Sequence, residues 1–241
     1  MKKSLFISLF LLVSITCNTV SAQYSKLSDF DDKMIHFGFA LSYNNSDYYI
    51  QRSLEHQFAD DSLQSLIVAS KPGFTLGVIS SINFNPNFKL RFAIPSLSFQ
   101  ERDLEYTYLD PSNGATYMLK KAIRPVYLEF PAMFKFRTDR IENWAAYGIT
   151  GIRFGIDMAS DKDVNNSSAS PEDQIVKIKK TDFGFEVGGG FDFFLEYFKF
   201  GIELKLGAGM MNLHLDENTS FDNPIDFLRS KVWTLSLTFE G

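Results

Sequence analysis

The sequence predicts an all-β fold, an eight-stranded antiparallel transmembrane β-barrel with short periplasmic turns and four longer extracellular loops. Three observations predict it. First, apolar and polar residues alternate from Thr181 to Leu215: Phe183, Phe185, Val187, Phe191 and Phe193, then Phe198, Phe200, Ile202, Leu204 and Leu206, share one face of two consecutive strands. The other face carries Asp182, Glu186, Asp192, Lys199, Glu203 and Lys205 among glycines. A charged face crowded by glycines suits the inside of a narrow tube better than the open side of a soluble sheet. Second, the chain starts with the parts of an export leader. Third, long and short connections alternate strictly between the strands that the pattern defines, as in an outer-membrane barrel with turns on one side and loops on the other.

In the leader, Met1-Lys2-Lys3 is the basic end, Leu5 to Ile15 the apolar core and Val20-Ser21-Ala22 the small-residue cleavage site before Gln23. The apolar run falls short of the ~20 residues that a membrane helix needs. The expected organisation is a cleaved signal peptide over residues 1–22 and one outer-membrane barrel domain over residues 23–241. Cys17, the only cysteine, leaves with the leader, so disulfides, thiolate metal sites and Cys nucleophiles are not expected in the mature chain. Loss of Lys2 and Lys3 takes the formal charge from −5 to −7, and no basic block stands out, which excludes nucleic acid as a partner. No later segment is apolar for long enough to form a membrane helix, so only a barrel can span a bilayer.

Strand one is expected over Ile35 to Tyr43, with Ile35, Phe37, Phe39, Leu41 and Tyr43 on one face; the polar stretch Asn44 to Ser70 follows as a long loop. Strand two, Phe74 to Phe84, ends at the turn Asn85-Pro86-Asn87. Strand three begins at Phe88 with Lys89 and Arg91 inward. Pro95 cannot donate to a ladder and marks a bulge or change of face before the strand resumes towards Tyr106 and the turn Asp110 to Gly114. Strand four, Val126 to Arg137, points Glu129, Lys135 and Arg137 away from its apolar face. Strand five, Trp144 to Met158, points Arg153 and Asp157 inward, and the polar loop Ser160 to Asp173 leads to strands six and seven. After a further loop, Asn212 to Ser230, strand eight over Lys231 to Phe239 alternates Trp233, Leu235, Leu237 and Phe239 with Val232, Thr234, Ser236 and Thr238.

Two sets of candidate residues follow from this arrangement. Arg91, Glu129, Lys135, Arg153, Glu186, Glu203 and Lys205 all face inward, and because buried charges must be paired they predict a salt-bridged, closed lumen. Phe84, Phe88, Phe136, Trp144, Phe193, Phe198 and Phe239 fall at the short-turn ends of their strands and predict an aromatic belt at the periplasmic membrane boundary. A lipocalin-like barrel would need an apolar interior instead. No catalytic residue, metal site or cofactor is expected. His36, His56 and His214 have no ligand spacing, Gly188-Gly189-Gly190 opens no helix, and Asp161, Asp163, Glu172 and Asp173 miss the EF-hand pattern. The sequence assigns neither a ligand nor an oligomeric state.

Leu90-Arg91-Phe92 with Pro95 and Leu97-Ser98-Phe99, then Tyr127-Leu128-Glu129-Phe130-Pro131 with Lys135, resemble paired signatures of the PorT family of outer-membrane β-barrels of Bacteroidota. Tyr147-Gly148 to Gly151, Asp182-Phe183-Gly184 with Gly188 to Gly190, and Glu203 with Leu206-Gly207 to Leu213 are similarly placed, so the likeness runs from about Ile35 to Gly241. The resemblance implies a non-enzymatic outer-membrane component of the type IX secretion system, which exports proteins with a C-terminal signal and in some species supports gliding motility. Its implied partners are outer-membrane lipid and other secretion-system proteins. A surface adhesion or interaction barrel, and an outer-membrane enzyme, stay open as other classes.

Overall fold

In a computed structural model, the structure describes residues 26–53, 62–162, 164, 174–217, 219 and 221–241. The expected leader lies outside them. Among the described residues there are ten strands: β1 (Ile35–Arg52), β2 (Leu63–Asn83), β3 (Phe88–Phe99), β4 (Arg102–Leu109), β5 (Thr116–Ile123), β6 (Val126–Arg137), β7 (Trp144–Asp157), β8 (Thr181–Phe194), β9 (Lys199–Gly209) and β10 (Ile225–Glu240). Eight of them, β1, β2, β3, β6, β7, β8, β9 and β10, close a ring of antiparallel neighbours, sealed where Gly38 to Gln51 pair with Glu240 to Phe227. No helix among the described residues is long and apolar enough to cross a membrane.

The ring forms because every spanning strand keeps the period of two. Phe37, Leu41, Phe74, Leu76, Ile152, Leu204 and Leu235 stay exposed as a continuous outer apolar band, while His36, Lys89, Arg91, Lys135 and Glu203 are buried inside. Pro95 sits where the alternation changes face. Register slips between Phe92 and Ser96 against β6, and between Leu76 and Val78 of β2 against β3. The extra residue turns Leu97 and Phe99 into outward positions and aims Ser96, Ser98 and Gln100 into the lumen.

Three expected boundaries are corrected. Asn44 to Ser70 is not one loop: β1 runs on to Arg52 and β2 starts at Leu63. With 18 and 21 residues, these strands are about twice as long as the 9–11 residues that span a bilayer, so both stand proud of the ring. Asn212 to Ser230 likewise yields its last six residues to β10, whose Ile225 pairs with Arg52. Strand three does not continue to Tyr106, because the chain breaks at Gln100-Glu101 and re-enters as β4, which pairs with Leu63 to Ser70 of β2 and with β5.

One physical reason covers all three. Above the apolar band no lipid demands apolar outward residues, so the strands lose their alternation while keeping their ladders. Asn44 shows how an inward polar group is held there: its side-chain amide donates to Thr75 Oγ1 at 3.0 Å and to the Phe99 carbonyl at 3.2 Å.

β1–β2 pairing stops at Ser46 opposite Lys71, and above that level β1 with β10 faces the sheet of β2, β4 and β5. Between them lies a separate hydrophobic core that includes Tyr48, Leu66, Leu104, Tyr106, Phe221 and Leu228. This cap covers the long-loop end of the ring. At the short-turn end, a one-turn 3-10 helix, Ser28–Phe30, folds back under the barrel.

Candidate functional site

The lumen gathers most of the buried charged side chains among the described residues, and the strand register decides which of them meet. Arg153 on β7 is held by Glu129 at 2.7 Å, Asp182 at 3.0 Å and Glu186 at 3.4 Å. Glu186 also lies 3.2 Å from Lys205, which reaches Glu203 at 3.6 Å. Arg91 spans Glu203 at 2.8 Å and Glu240 at 2.7 Å, and the Tyr147 hydroxyl donates to Glu203 at 2.9 Å. Six of the seven inward residues singled out from the sequence therefore stand in one connected web. Lys135, the seventh, joins it less directly: its ammonium donates to both carboxylate oxygens of Asp192 and lies 3.5 Å from the centre of the Tyr147 ring, and Lys199 links Asp192 at 3.9 Å to Glu240 at 3.0 Å.

Asp182, Asp192, Lys199 and Glu240 complete the web and were left out of the sequence-derived set, although each has the inward parity of its strand. Arg102 was also missed. It is fully buried at the junction of barrel and cap, donating to the Asp47 carbonyl, the Tyr48 hydroxyl and Gln100 Oε1. No periodic signal marks it, because it follows the break in the chain.

The glycines make room for this web in a specific way. A Cβ at Gly190 would overlap the Ile202 carbonyl and lie 2.8 Å from the Tyr147 ring, and one at Gly188 would come within 2.8 Å of Lys205 Cγ. They clear space for Tyr147 and Lys205 on adjoining strands. The opposite wall is built from hydroxyls, with Ser42 donating to Ser236 at 2.9 Å and Thr75 beside Ser98 at 2.8 Å. Between the walls is a cavity of about 60 Å³ lined by Ser42, Ser98, Arg91, Glu129, Arg153 and Glu203. That is room for roughly four waters, and far less than a substrate pocket needs.

The short-turn mouth is closed by the N-terminal segment. Phe30 stacks on His36 with ring centres 3.8 Å apart and meets the Phe194 edge at 6.0 Å. Asp31 accepts hydrogen bonds from Arg137 at 3.0 and 2.9 Å and from Lys89 at 3.0 Å. Burial on its own pushes the Asp31 carboxyl up, but the Arg137 hydrogen bonds and the Lys89 charge hold it well below the usual carboxylate range. Docking of a group with a depressed pKa is at full strength above the undocked value of about 3.9 and is lost as pH falls below it. Protection of the Phe30 amide, which donates to the Leu27 carbonyl at 3.1 Å, is therefore expected to hold from about pH 7 to 5 and to fall by about pH 3. Amide exchange by NMR checks this, and the acid step should vanish in Asp31→Asn.

Around the outside of the same end, the aromatic rings form a chain of contacts. Phe84 lies 5.5 Å from Phe88, Phe88 4.9 Å from Phe136, and Phe198 5.9 Å from Phe239. Trp144 pairs with Phe193 across β7 and β8, and Phe193 stacks towards Phe200 at 6.3 Å.

No group of three metal-ligating side chains exists among the described residues. His36 stands beside Asn83 and Lys33, and His214 lies 3.6 Å from Asp222. His56, Asp163, Glu172 and Asp173 are outside the described residues.

A closed ring with a greasy exterior and a charged interior matches what comparison of the sequence finds: the outer membrane protein beta-barrel domain family aligns with residues 21–215. The chain belongs to that family. It is accordingly an outer-membrane protein with a transmembrane β-barrel. No curated protein sequence matches it. Among solved structures, OprG from Pseudomonas aeruginosa is similar at 13% identity and a TM-score of 0.40, covering 86% of this chain and 93% of OprG. The Ail attachment invasion locus protein of Yersinia pestis, in complex with the heparin analogue sucrose octasulfate, is similar at 14% identity and a TM-score of 0.42, covering 87% of this chain and all of Ail. The N-terminal barrel domain of Pseudomonas aeruginosa OprF has 9% identity and a TM-score of 0.36, covering 85% and 97%.

Proposed function

We propose that this outer-membrane barrel is a closed, non-enzymatic component of the type IX secretion system, acting through protein contacts of its cap and its short-turn face in secretion or assembly. The observation that carries the reading is the sealed lumen: a cap core above, an ion-pair web within and Phe30 with Asp31 below leave the outer surfaces as the working parts. The charged residues among those that resemble PorT-family signatures lie within that web. Arg91, Glu129, Lys135, Asp182 and Glu203 are among its members. Deleting the protein in its own host is expected to abolish the release and processing of proteins that carry the C-terminal secretion signal, read from the secreted fraction. An unchanged fraction would sink the assignment. Purified protein in planar bilayers is expected to give no large, stable conductance, and a porin-like current would overturn the closed-lumen basis.

One feature favours a second reading, a surface adhesion barrel. β5 is an outer strand of the cap sheet, paired among the described residues with β4 alone, and exposes Tyr117 and Met118. Under that reading, shortening the cap removes binding to surfaces and leaves secretion intact.

A further inference from the structure

The short-turn mouth holds more cationic donors than its occupant fills. Lys89, Arg137 and Arg140 converge on the single carboxylate of Asp31, at 3.0, 2.9 and 2.8 Å. Arg140 Nη2 is close enough for charge attraction but turned out of hydrogen-bond geometry, and Arg140 Nε and Arg137 Nε also have no acceptor among the described residues. Arg137 is deeply buried, so its idle donor is an unmet demand for an anion. Beside these donors is a slot for one aromatic ring, made by the His36 face and the Phe194 edge, with Lys199 and Lys89 at 4.8 and 5.2 Å from the Phe30 centroid.

The occupant is held under strain. Leu27 has φ of 52°, a left-handed conformation that a residue with a side chain of this kind rarely adopts. Its carbonyl and that of Lys26 accept from Arg140 Nη1 at 3.2 and 3.1 Å, and the Lys26 amide donates to Asn143 Oδ1 at 2.9 Å. Glu142, next to Asn143, is also left-handed with φ of 56°. A strained three-residue turn on one shared carboxylate is a contact built to be exchangeable.

From this we infer that the short-turn mouth is a binding site for an aromatic residue followed by a carboxylate in a peptide that takes up a single helical turn, and that Phe30-Asp31 is its resident, displaceable ligand. The partner it fits is an acidic, aromatic-bearing segment of a protein on the periplasmic side. The spare donors of Arg137 and Arg140 favour a segment with a second acid next to the first, as Asp32 follows Asp31 here. The site stands on its own geometry and holds whether or not the secretion assignment does.

The test uses the full chain in detergent micelles and a fluorescein-labelled peptide copying residues 26–33, read by anisotropy. In the wild type the tethered segment competes at high effective concentration, so the Phe30→Ala/Asp31→Asn double variant is expected to bind the peptide about tenfold or more tightly than the wild type. A peptide with Asn in place of the acid copied from Asp31 is expected to lose at least about tenfold, as is the double variant carrying Arg137→Gln. Equal binding by wild type and double variant, or equal binding of the acid and Asn peptides, overturns the site. Heat-modifiable gel migration reports folding. If the double variant does not fold, Asp31→Asn alone supports the same comparison, with the same two results against it.

Discussion

Arg153→Met is expected to destabilise the barrel by roughly 3–5 kcal/mol, the cost of leaving buried charge without its counter-ion. Arg153 is buried and faces Glu129, Asp182 and Glu186, so its loss leaves three carboxylates together in the lumen with Lys205 the cation nearest to hand. Methionine fills most of the volume, which keeps the cavity term small and isolates the charge. Urea unfolding in detergent, followed by loss of the heat-modifiable form, gives the shift. A change within about 0.5 kcal/mol would mean that lumen water screens the web as a surface does, and the buried-web description would fail. Arg153→Lys should fall between, because an ammonium keeps the charge and loses the fork that reaches separate carboxylates.

The same geometry changes what Glu129→Ala does. Read from sequence, its removal strands an inward cation at a cost of roughly 3 kcal/mol. In the structure Arg153 keeps Asp182 and Glu186 after Glu129 is gone, and the groups left short are one guanidinium nitrogen and the Gln100 amide. The cost should then be nearer 1–2 kcal/mol, that of an unmade hydrogen bond. The asymmetry between the two substitutions is itself the signature of a shared hub.

What was legible in the sequence follows from where lipid acts. Phe183, Phe185, Ile202 and Leu204 announce the spanning strands because the bilayer rejects polar atoms on one face and sterics fill the other with glycine and charge. The bulge at Pro95 was legible for a local reason, the missing donor. Tyr48, Leu66, Leu104 and Tyr106 were not legible as a core: above the band the strands lose the apolar outward face, so Tyr48 and Leu66 read as polar loop, and Leu104 and Tyr106 read as the continuation of strand three. Nor was the mouth. Phe30 and Asp31 sit in a short run of acids with no period, and only the fold brings Lys89 of β3 and Arg137 of β6 to them. Inward parity identified the lumen charges as a class, but pairing depends on stagger between strands, which is why Lys135 met Asp192 while Glu129 met Arg153.

The cap and the ring should separate under mutation, and Leu104→Ala is the substitution that shows it. Leu104 is fully buried at the centre of the cap core, on a strand bonded to β2 and β5 and to no other strand of the ring. Truncation of a buried leucine costs about 2–5 kcal/mol, transfer and cavity together. A cap of this size has few kilocalories to spare, so the loss is expected to open it locally. Amides of Val68 and Tyr106 should then exchange about a hundredfold faster or more, while those of Leu76 on β2 and Phe134 on β6 keep their protection. Gel migration of the folded form should stay unchanged, because the ring closes through β1–β10 and β3–β6 without using β4. If cap and ring lost protection together, the two would be one cooperative unit. The polar upper strands would then be part of what holds the barrel closed rather than a platform built on it.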